Sequence, residues 1–197
     1  MSPGRLNALT DGVVAIVLTI MVLEVKIPAE PTLRAVLEVL PFLAAYLLAF
    51  IYVAIYWNNH HHMMQSARKV TGGVLWANHS LLFWLTLFPL MIRWIDEAGV
   101  TAWPAISFGL VLVGASISYV LLERSLIAAE GDTSGVRRAV GRGAKEWVSF
   151  AGYLLALPLA FVSPYISIAI YVAVAFLWLV PDRRFERGLQ GEAPPPT

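Results

Sequence analysis

Six long apolar stretches follow one another along the chain, separated by segments that hold most of its charges. Each stretch is close to the roughly 20 mostly apolar residues that a helix needs to cross a bilayer. The pattern predicts an all-α, polytopic membrane protein, with six transmembrane helices in residues 1–182 and a short, disordered cytoplasmic tail in residues 183–197. The predicted segments are Leu6–Ile27, Leu33–Trp57 (with room to continue to Met64), Val74–Ile95, Trp103–Leu122, Trp147–Val162 and Tyr165–Val180.

Turn-forming residues mark the ends of several segments. Thr101 followed by Pro104 predicts the start of the fourth helix, and Ser163-Pro164 predicts the start of the sixth. Pro158 is expected to kink the fifth helix, and it is the only break predicted within a span. The charged, glycine-rich stretch Glu123–Glu146 predicts the longest loop.

Composition supports a membrane protein and excludes several chemistries. Only 14% of the residues are charged, whereas soluble domains carry about 25%. The absence of cysteine excludes disulfides, thiolate metal sites and cysteine nucleophiles. The net charge of +1 gives no reason to expect a nucleic-acid partner. The first segment contains Asp11 and lacks a small-residue cleavage site, so we expect a retained helix rather than a signal peptide.

Basic residues are distributed unevenly over the predicted loops, and cytoplasmic loops are the ones enriched in lysine and arginine. Placing both termini in the cytoplasm leaves only Lys26, Arg34 and Arg93 outside, of 14 basic residues in all. The inner set is Arg5, Arg68, Lys69, Arg124, Arg137, Arg138, Arg142, Lys145, Arg183, Arg184 and Arg187. We therefore expect a multi-pass protein of the cell membrane with both termini cytoplasmic.

The first helix carries both an apolar stripe and an acidic residue. Asp11 lies roughly opposite the stripe, and a carboxylate within a membrane helix usually faces protein or water. If the stripe faces a central axis, Asp11 faces its own subunit. From periodicity alone, ordinary helix packing is the commoner explanation of such a stripe. At 100° per residue, the stripe holds Gly12, Ile16, Thr19, Ile20, Leu23 and Ile27.

Histidines cluster where the second helix ends, at His60, His61 and His62. Consecutive helical residues point 100° apart, so these three cannot all bind one metal ion. A metal pair of His60 with His79 stays open as a minor alternative, and we expect neither a metal nor a cofactor. Asn78 lies at a depth similar to that of Asp11, which favours a hydrogen-bond network between helices.

Familiar catalytic and transport signatures are missing from the sequence. There is no nucleophile elbow, zinc-protease motif, phosphate-binding loop or dinucleotide-binding glycine pattern. The Thr-Val-Gly-Tyr-Gly loop of ordinary potassium channels is also missing. These absences argue against an enzyme, and against a channel with a carbonyl-lined filter.

Three motifs stand in order on the first three predicted helices, beginning with Arg5-Leu-Asn-Ala-Leu9-Thr10-Asp11. Together they resemble the lysosomal/endosomal potassium channel family and its bacterial homologues. That family opens its first helix with Arg-x-x-x-Phe-Ser-Asp, which stands here as Arg5-Leu-Asn-Ala-Leu9-Thr10-Asp11. A Trp-x-x-His follows on the second helix, at Trp57 and His60. An asparagine ahead of a Leu/Phe-rich run and a proline follows on the third, at Asn78 and Pro89. Leu9 and Thr10 depart from the motif but keep its chemical type, and the resemblance covers about residues 5 to 90.

The resemblance implies a potassium-permeable channel that assembles as a homotetramer in the lipid bilayer and passes K⁺ and other monovalent cations. It implies that the first helix lines the pore through Ile16, Thr19, Ile20 and Leu23. Rings of Ile and Leu then form a narrow apolar neck, and one ring of Thr19 hydroxyls gives modest preference for K⁺ over Na⁺. The polar residues expected to hold the helix in place are Arg5, Thr10, Asp11, Trp57, His60 and Asn78.

Two other classes of protein stay open on sequence grounds. A secondary cation transporter is expected to show internal repeats and broken helices, and the sequence shows no convincing repeat. A histidine-dependent membrane metal-handling protein would use the His60–His62 cluster and His79. Ohmic currents from purified protein would distinguish a channel from both.

Overall fold

The structure is a computed structural model that describes residues 2–25, 28–29, 31–131 and 144–179. Within these ranges the chain is all-helical. Its helices in chain order are α1 (Pro3–Leu23), α2 (Leu33–Gln65), α3 (Gly72–Leu85), α4 (Phe88–Ala98), α5 (Ala102–Glu130), α6 (Ala144–Leu159) and α7 (Pro164–Leu179). The predicted helix starts after Thr101 and at Pro164 are confirmed, with Thr101 as the residue that precedes α5.

Four stretches are long and apolar enough to cross a bilayer: α1, α2, α3 together with α4, and α5. α7 is apolar but only 16 residues long, and α6, of the same length, contains Pro158. The described chain is therefore a multi-pass helical bundle with four spans of full length. Several predicted features lie outside the described residues, namely the helix ends at Ile27 and Val180, residues 132–143 of the predicted loop, and the tail 183–197.

The third predicted segment, Val74–Ile95, lies within a stretch that is long and apolar enough to cross a bilayer, as predicted, but its helix is interrupted at residues 86–87. α3 ends at Leu85 and α4 begins at Phe88. Pro89 lies in the first turn of α4, where its missing N–H and its ring cannot continue the preceding helix. The Thr86 hydroxyl donates to the Phe83 carbonyl at 2.7 Å and satisfies part of the exposed helix end. Pro158 is therefore not the only interruption of a predicted span.

α5 is longer than predicted, because Glu123 to Glu130 continue the helix instead of opening a loop. Leu122 and Leu126 are fully buried and four residues apart, so the helical period persists on one face. The helix stops at Gly131, which has a φ of 92° that side chains rarely adopt, and whose N–H donates to the Ile127 carbonyl at 2.8 Å.

α5 forms the centre of the bundle, packing against α3, α4, α6 and α7. Two of its glycines permit close approach of aromatic side chains. A Cβ at Gly114 would overlap the Trp84 ring, and one at Gly109 would overlap the Tyr171 hydroxyl. α1 instead packs mainly on α2, α3 and α4, so it lies at one side of the bundle with an open face.

Candidate functional site

α1 presents two different faces in the folded chain. The buried face packs on its neighbours through Leu6, Thr10, Val14, Val17 and Met21. The residues predicted to line a pore lie outside this contact. Ile16 is 59% exposed, Ile20 41% and Leu23 80%, and Thr19 is exposed as well. In a single chain the stripe is therefore available to lipid or to further copies of the protein.

Thr19 is the polar member of this exposed stripe between Ile16 and Leu23. Its hydroxyl donates to the carbonyl of Ile16 at 2.8 Å, within its own helix. This bond satisfies the hydroxyl hydrogen and leaves oxygen lone pairs directed away from the backbone. The side chain can therefore accept from water or coordinate a cation without losing its internal bond.

The opposite side of α1 is tied to α2 and α3 by a buried hydrogen-bonded group. Asn78 on α3 is fully buried, and its side-chain nitrogen donates to the Thr10 oxygen at 3.1 Å. The Asn78 carbonyl oxygen lies 2.8 Å from Nε2 of His60, a ring nitrogen that must donate because its partner is an acceptor. Thr10 also donates to the Leu6 carbonyl at 3.2 Å. Three helices are thus joined at one level of the bundle.

Asp11 belongs to a second, adjoining group. One carboxylate oxygen accepts from the indole N–H of Trp57 at 2.8 Å, and the other accepts from the Asn7 amide at 3.0 Å. Sequence reasoning missed Asn7, although its spacing of four residues from Asp11 places the two on one helical face. The carboxylate is half-buried, and both of its oxygens have a donor within the chain.

Arg5 is not brought to these residues. Its side chain is exposed, and no hydrogen bond joins it to Thr10, Asp11, Trp57, His60 or Asn78 in the described chain. Grouping Arg5 with Asp11 rested on their nearness in a sequence motif. Within one subunit, the helix directs the two side chains differently.

His61 and His62 pack edge to face with ring centroids 5.9 Å apart, whereas His60 and His79 contact other residues. His61 stacks on Trp57 with ring centroids 5.7 Å apart and lies 2.8 Å from the Gln65 amide nitrogen. His79 is exposed and bonds the Leu75 carbonyl of its own helix at 2.7 Å, whereas His60 faces Asn78. Among the described residues, no group of three or more His, Asp or Glu side chains could hold a metal ion.

Comparison with known proteins relates this arrangement to one family. The sequence profile described as "Endosomal/lysosomal potassium channel TMEM175" matches residues 5–89, the part of the chain that holds both polar groups. A potassium channel of a Chryseobacterium species is 44% identical over 190 residues, covering 96% of this chain and 99% of the relative.

More distant relatives extend along most of the chain. A potassium channel of Streptomyces collinus is 26% identical over 187 residues, covering 89% of this chain and 90% of the relative. One of Chamaesiphon minutus is 26% identical over 188 residues, covering 87% and 91%. The crystal structure of a lysosomal potassium-selective channel TMEM175 homolog from Chamaesiphon minutus has a TM-score of 0.78 at 21% identity, covering 97% of this chain and 98% of that one. At this identity, the likeness speaks for the fold alone.

Proposed function

This chain belongs to the endosomal/lysosomal potassium channel TMEM175 family, and from that premise we propose that it conducts K⁺ through a pore lined by α1 of several subunits. The family is one of potassium channels and not of enzymes. The name of its Chryseobacterium relative supports K⁺ as the permeant ion. Other monovalent cations are proposed to pass less readily.

One observation carries the assignment of the pore to α1. The helix buries one face in its own subunit and leaves Ile16, Thr19, Ile20 and Leu23 outside it. A stripe on the outside of a single bundle encloses nothing, so a pore lined by it requires several copies around an axis. We propose a homotetramer, the assembly that the family resemblance implies.

The proposed conduction pathway is an apolar neck. Ile16, Ile20 and Leu23 recur at spacings of four and three residues, so four copies stack three rings within roughly 10 Å of helical rise. A K⁺ ion loses much of its hydration in such a neck, at high free-energy cost. When the rings close, the neck blocks the ion by dewetting.

Selectivity is proposed to come from Thr19. Its outward lone pairs, with the hydroxyl hydrogen held by the Ile16 carbonyl, offer one ring of oxygens between apolar rings. One ring replaces only part of the hydration shell of K⁺, in contrast to the several rings of a carbonyl filter. The preference for K⁺ over Na⁺ is therefore proposed to be modest.

The two polar groups behind α1 are proposed to fix the orientation of the stripe. Asn78 with His60 and Thr10, and Trp57 with Asp11, bond α1 to its neighbours on the side away from the exposed face. These bonds support a structural role rather than contact with the ion.

Topology is proposed from charge and length. We propose six crossings within residues 1–182, with α3 and α4 sharing one of them, and a cytoplasmic tail in residues 183–197. Both termini then lie in the cytoplasm and the protein resides in the cell membrane, as the distribution of basic residues favours.

The broken third span gives one specific observation in favour of a secondary transporter, since transporters often use discontinuous helices. Planar bilayers containing purified protein separate the two classes. A channel gives ohmic unitary currents that scale with driving force, whereas a transporter gives saturable flux without unitary steps.

The same recordings test the pore assignment. The chain has no cysteine, so a single introduced thiol is the only one present. Leu23→Cys should be modified by a charged methanethiosulfonate with loss of K⁺ current. Val22→Cys is the matched control, because Val22 is also exposed but points about 100° away. Equal effects at both positions, or none at Leu23, would remove α1 from the pore.

A further inference from the structure

Arg5 shares a line of α1 with Leu23. Eighteen residues separate the two, which is five turns of 3.6 residues, so their side chains leave the helix at the same angle. The rise over that distance is about 27 Å. If Leu23 faces the pore axis at one end of the helix, Arg5 faces it at the other end.

The charge of Arg5 is not neutralised within the described chain. The side chain is exposed and forms no ion pair or hydrogen bond with another described residue. The nearest acid on the helix is Asp11, six residues and about 9 Å further along. Both carboxylate oxygens of Asp11 are already bonded, to Trp57 and Asn7.

The linker between α2 and α3 adds basic residues, and the acid that reaches it is already engaged. Arg68 and Lys69 lie in the linker between α2 and α3 and are exposed. Glu130, at the end of α5, accepts from the backbone N–H groups of both residues, so its carboxylate is engaged with that linker. In the first two turns of α1 and in this linker, the charged residues are all basic, namely Arg5, Arg68 and Lys69.

We infer that Arg5 of each subunit forms a ring of positive charge at the pore entrance beside the N-terminus of α1, where it lowers the local concentration of K⁺ and limits entry from that side. This inference rests on the proposed pore along α1. If the ring raises the electrostatic energy of a K⁺ ion at the entrance by on the order of one kT, the K⁺ concentration there falls about threefold. Salt screens the effect, because the Debye length falls from about 10 Å at 0.1 M to about 3 Å at 1 M.

Single-channel recording in symmetrical KCl tests this inference on the full chain. At about 0.1 M KCl, Arg5→Gln should raise the current in one voltage direction roughly two- to threefold, and at about 1 M the two proteins should converge. Arg5→Lys keeps the charge and should behave as the parent protein. Arg68→Gln removes an exposed charge that is not on α1, and it should change the current much less.

A second measurement separates charge from folding. Arg5→Cys, modified after reconstitution, acquires a positive or a negative methanethiosulfonate group on an already assembled channel. The negative group should raise low-salt current in the same direction as Arg5→Gln does, and the positive group should lower it again. Equal low-salt currents with either group, or equal effects of Arg5→Gln and Arg68→Gln, would overturn the inference.

Failure of the inference can be told apart from failure of the proposed pore. If Leu23→Cys responds to the reagent but the low-salt current is unchanged in Arg5→Gln, the pore stands and Arg5 is not at its entrance. If neither position responds, the pore along α1 itself is wrong. If Arg5→Gln loses assembled protein and Arg5→Lys restores it, Arg5 binds a neighbouring subunit and the ring is refuted.

Discussion

Removing the Asn78 side chain should weaken the attachment of α1 to the bundle without touching the exposed stripe. Asn78→Ala deletes the acceptor of His60 and the donor to Thr10, at a position with no exposed surface. A buried polar group left unpaired costs about 1–3 kcal/mol. Hydrogen bonds between membrane helices average nearer 0.6 kcal/mol, because the partners find substitutes. We therefore expect a loss of about 1–2 kcal/mol.

The assay is the fraction of intact oligomer in detergent, followed over a temperature or denaturant series. Asn58→Ala is the matched control, because it makes the same chemical change at an exposed position on α2. In a double-mutant cycle, His60→Ala combined with Asn78→Ala should cost less than the sum of the single changes, because the two side chains share one bond. Strict additivity, or an Asn78→Ala protein as stable as the control, would refute a coupled network.

Three further predictions address other parts of the account. Asp11→Ala should reduce the yield of assembled protein, because it leaves the Trp57 indole N–H without its acceptor, while the channels that do assemble should keep their K⁺/Na⁺ preference. Altered reversal potentials with normal assembly would instead place Asp11 in the pore. Thr19→Val keeps the side-chain shape and removes the hydroxyl, so conductance and K⁺ preference should fall with assembly intact, and unchanged bi-ionic potentials would move selectivity elsewhere. Reporter fusions at the C-terminus and between Arg93 and Trp103 should report opposite sides of the membrane, and a shared side would end the six-crossing topology.

The face of α1 that is buried in its own subunit could be predicted from the sequence, because the angle between helical residues follows from their spacing alone. The 100° step separates the stripe from the side on which Thr10 lies, and the structure buries Thr10 while leaving Ile16 exposed. Periodicity does not say what an exposed face contacts, since lipid and a second subunit are both apolar. The pore role of the stripe therefore remains a prediction.

Two helix boundaries were predicted wrongly, where the polarity of a stretch and its backbone chemistry pointed to different boundaries. The break before Pro89 was missed because the residues on both sides are apolar, and hydropathy does not register a lost backbone hydrogen bond. The end of α5 was placed too early because Glu123 and Arg124 suggested a loop, whereas Leu126 continues the buried face. Both predictions relied on the average polarity of a stretch. The proline at the first break and the continued spacing of buried residues in α5 were the better signals.

The motif around Asp11 predicted that its polar side chains bond to other helices, but it did not predict which partner each side chain contacts. Thr10 and Asp11 are adjacent, yet one contacts Asn78 and the other contacts Trp57. Arg5 belongs to the same motif and points to the exposed side. Only the packing of three helices shows which partner each polar side chain meets, because those contacts join residues far apart in the sequence.

Polar substitution of the stripe tests the central claim, that α1 lines a hydrophobic pore neck, most directly. Leu23→Asn and Ile16→Asn should keep the neck hydrated and raise basal K⁺ current in bilayer recordings, with near-normal amounts of oligomer. Val17→Asn is the control on the buried face of α1, where asparagine should instead reduce folded protein. If Leu23→Asn and Ile16→Asn both behave like Val17→Asn, with loss of folded oligomer and no gain in current, the stripe packs against protein and the pore lies elsewhere.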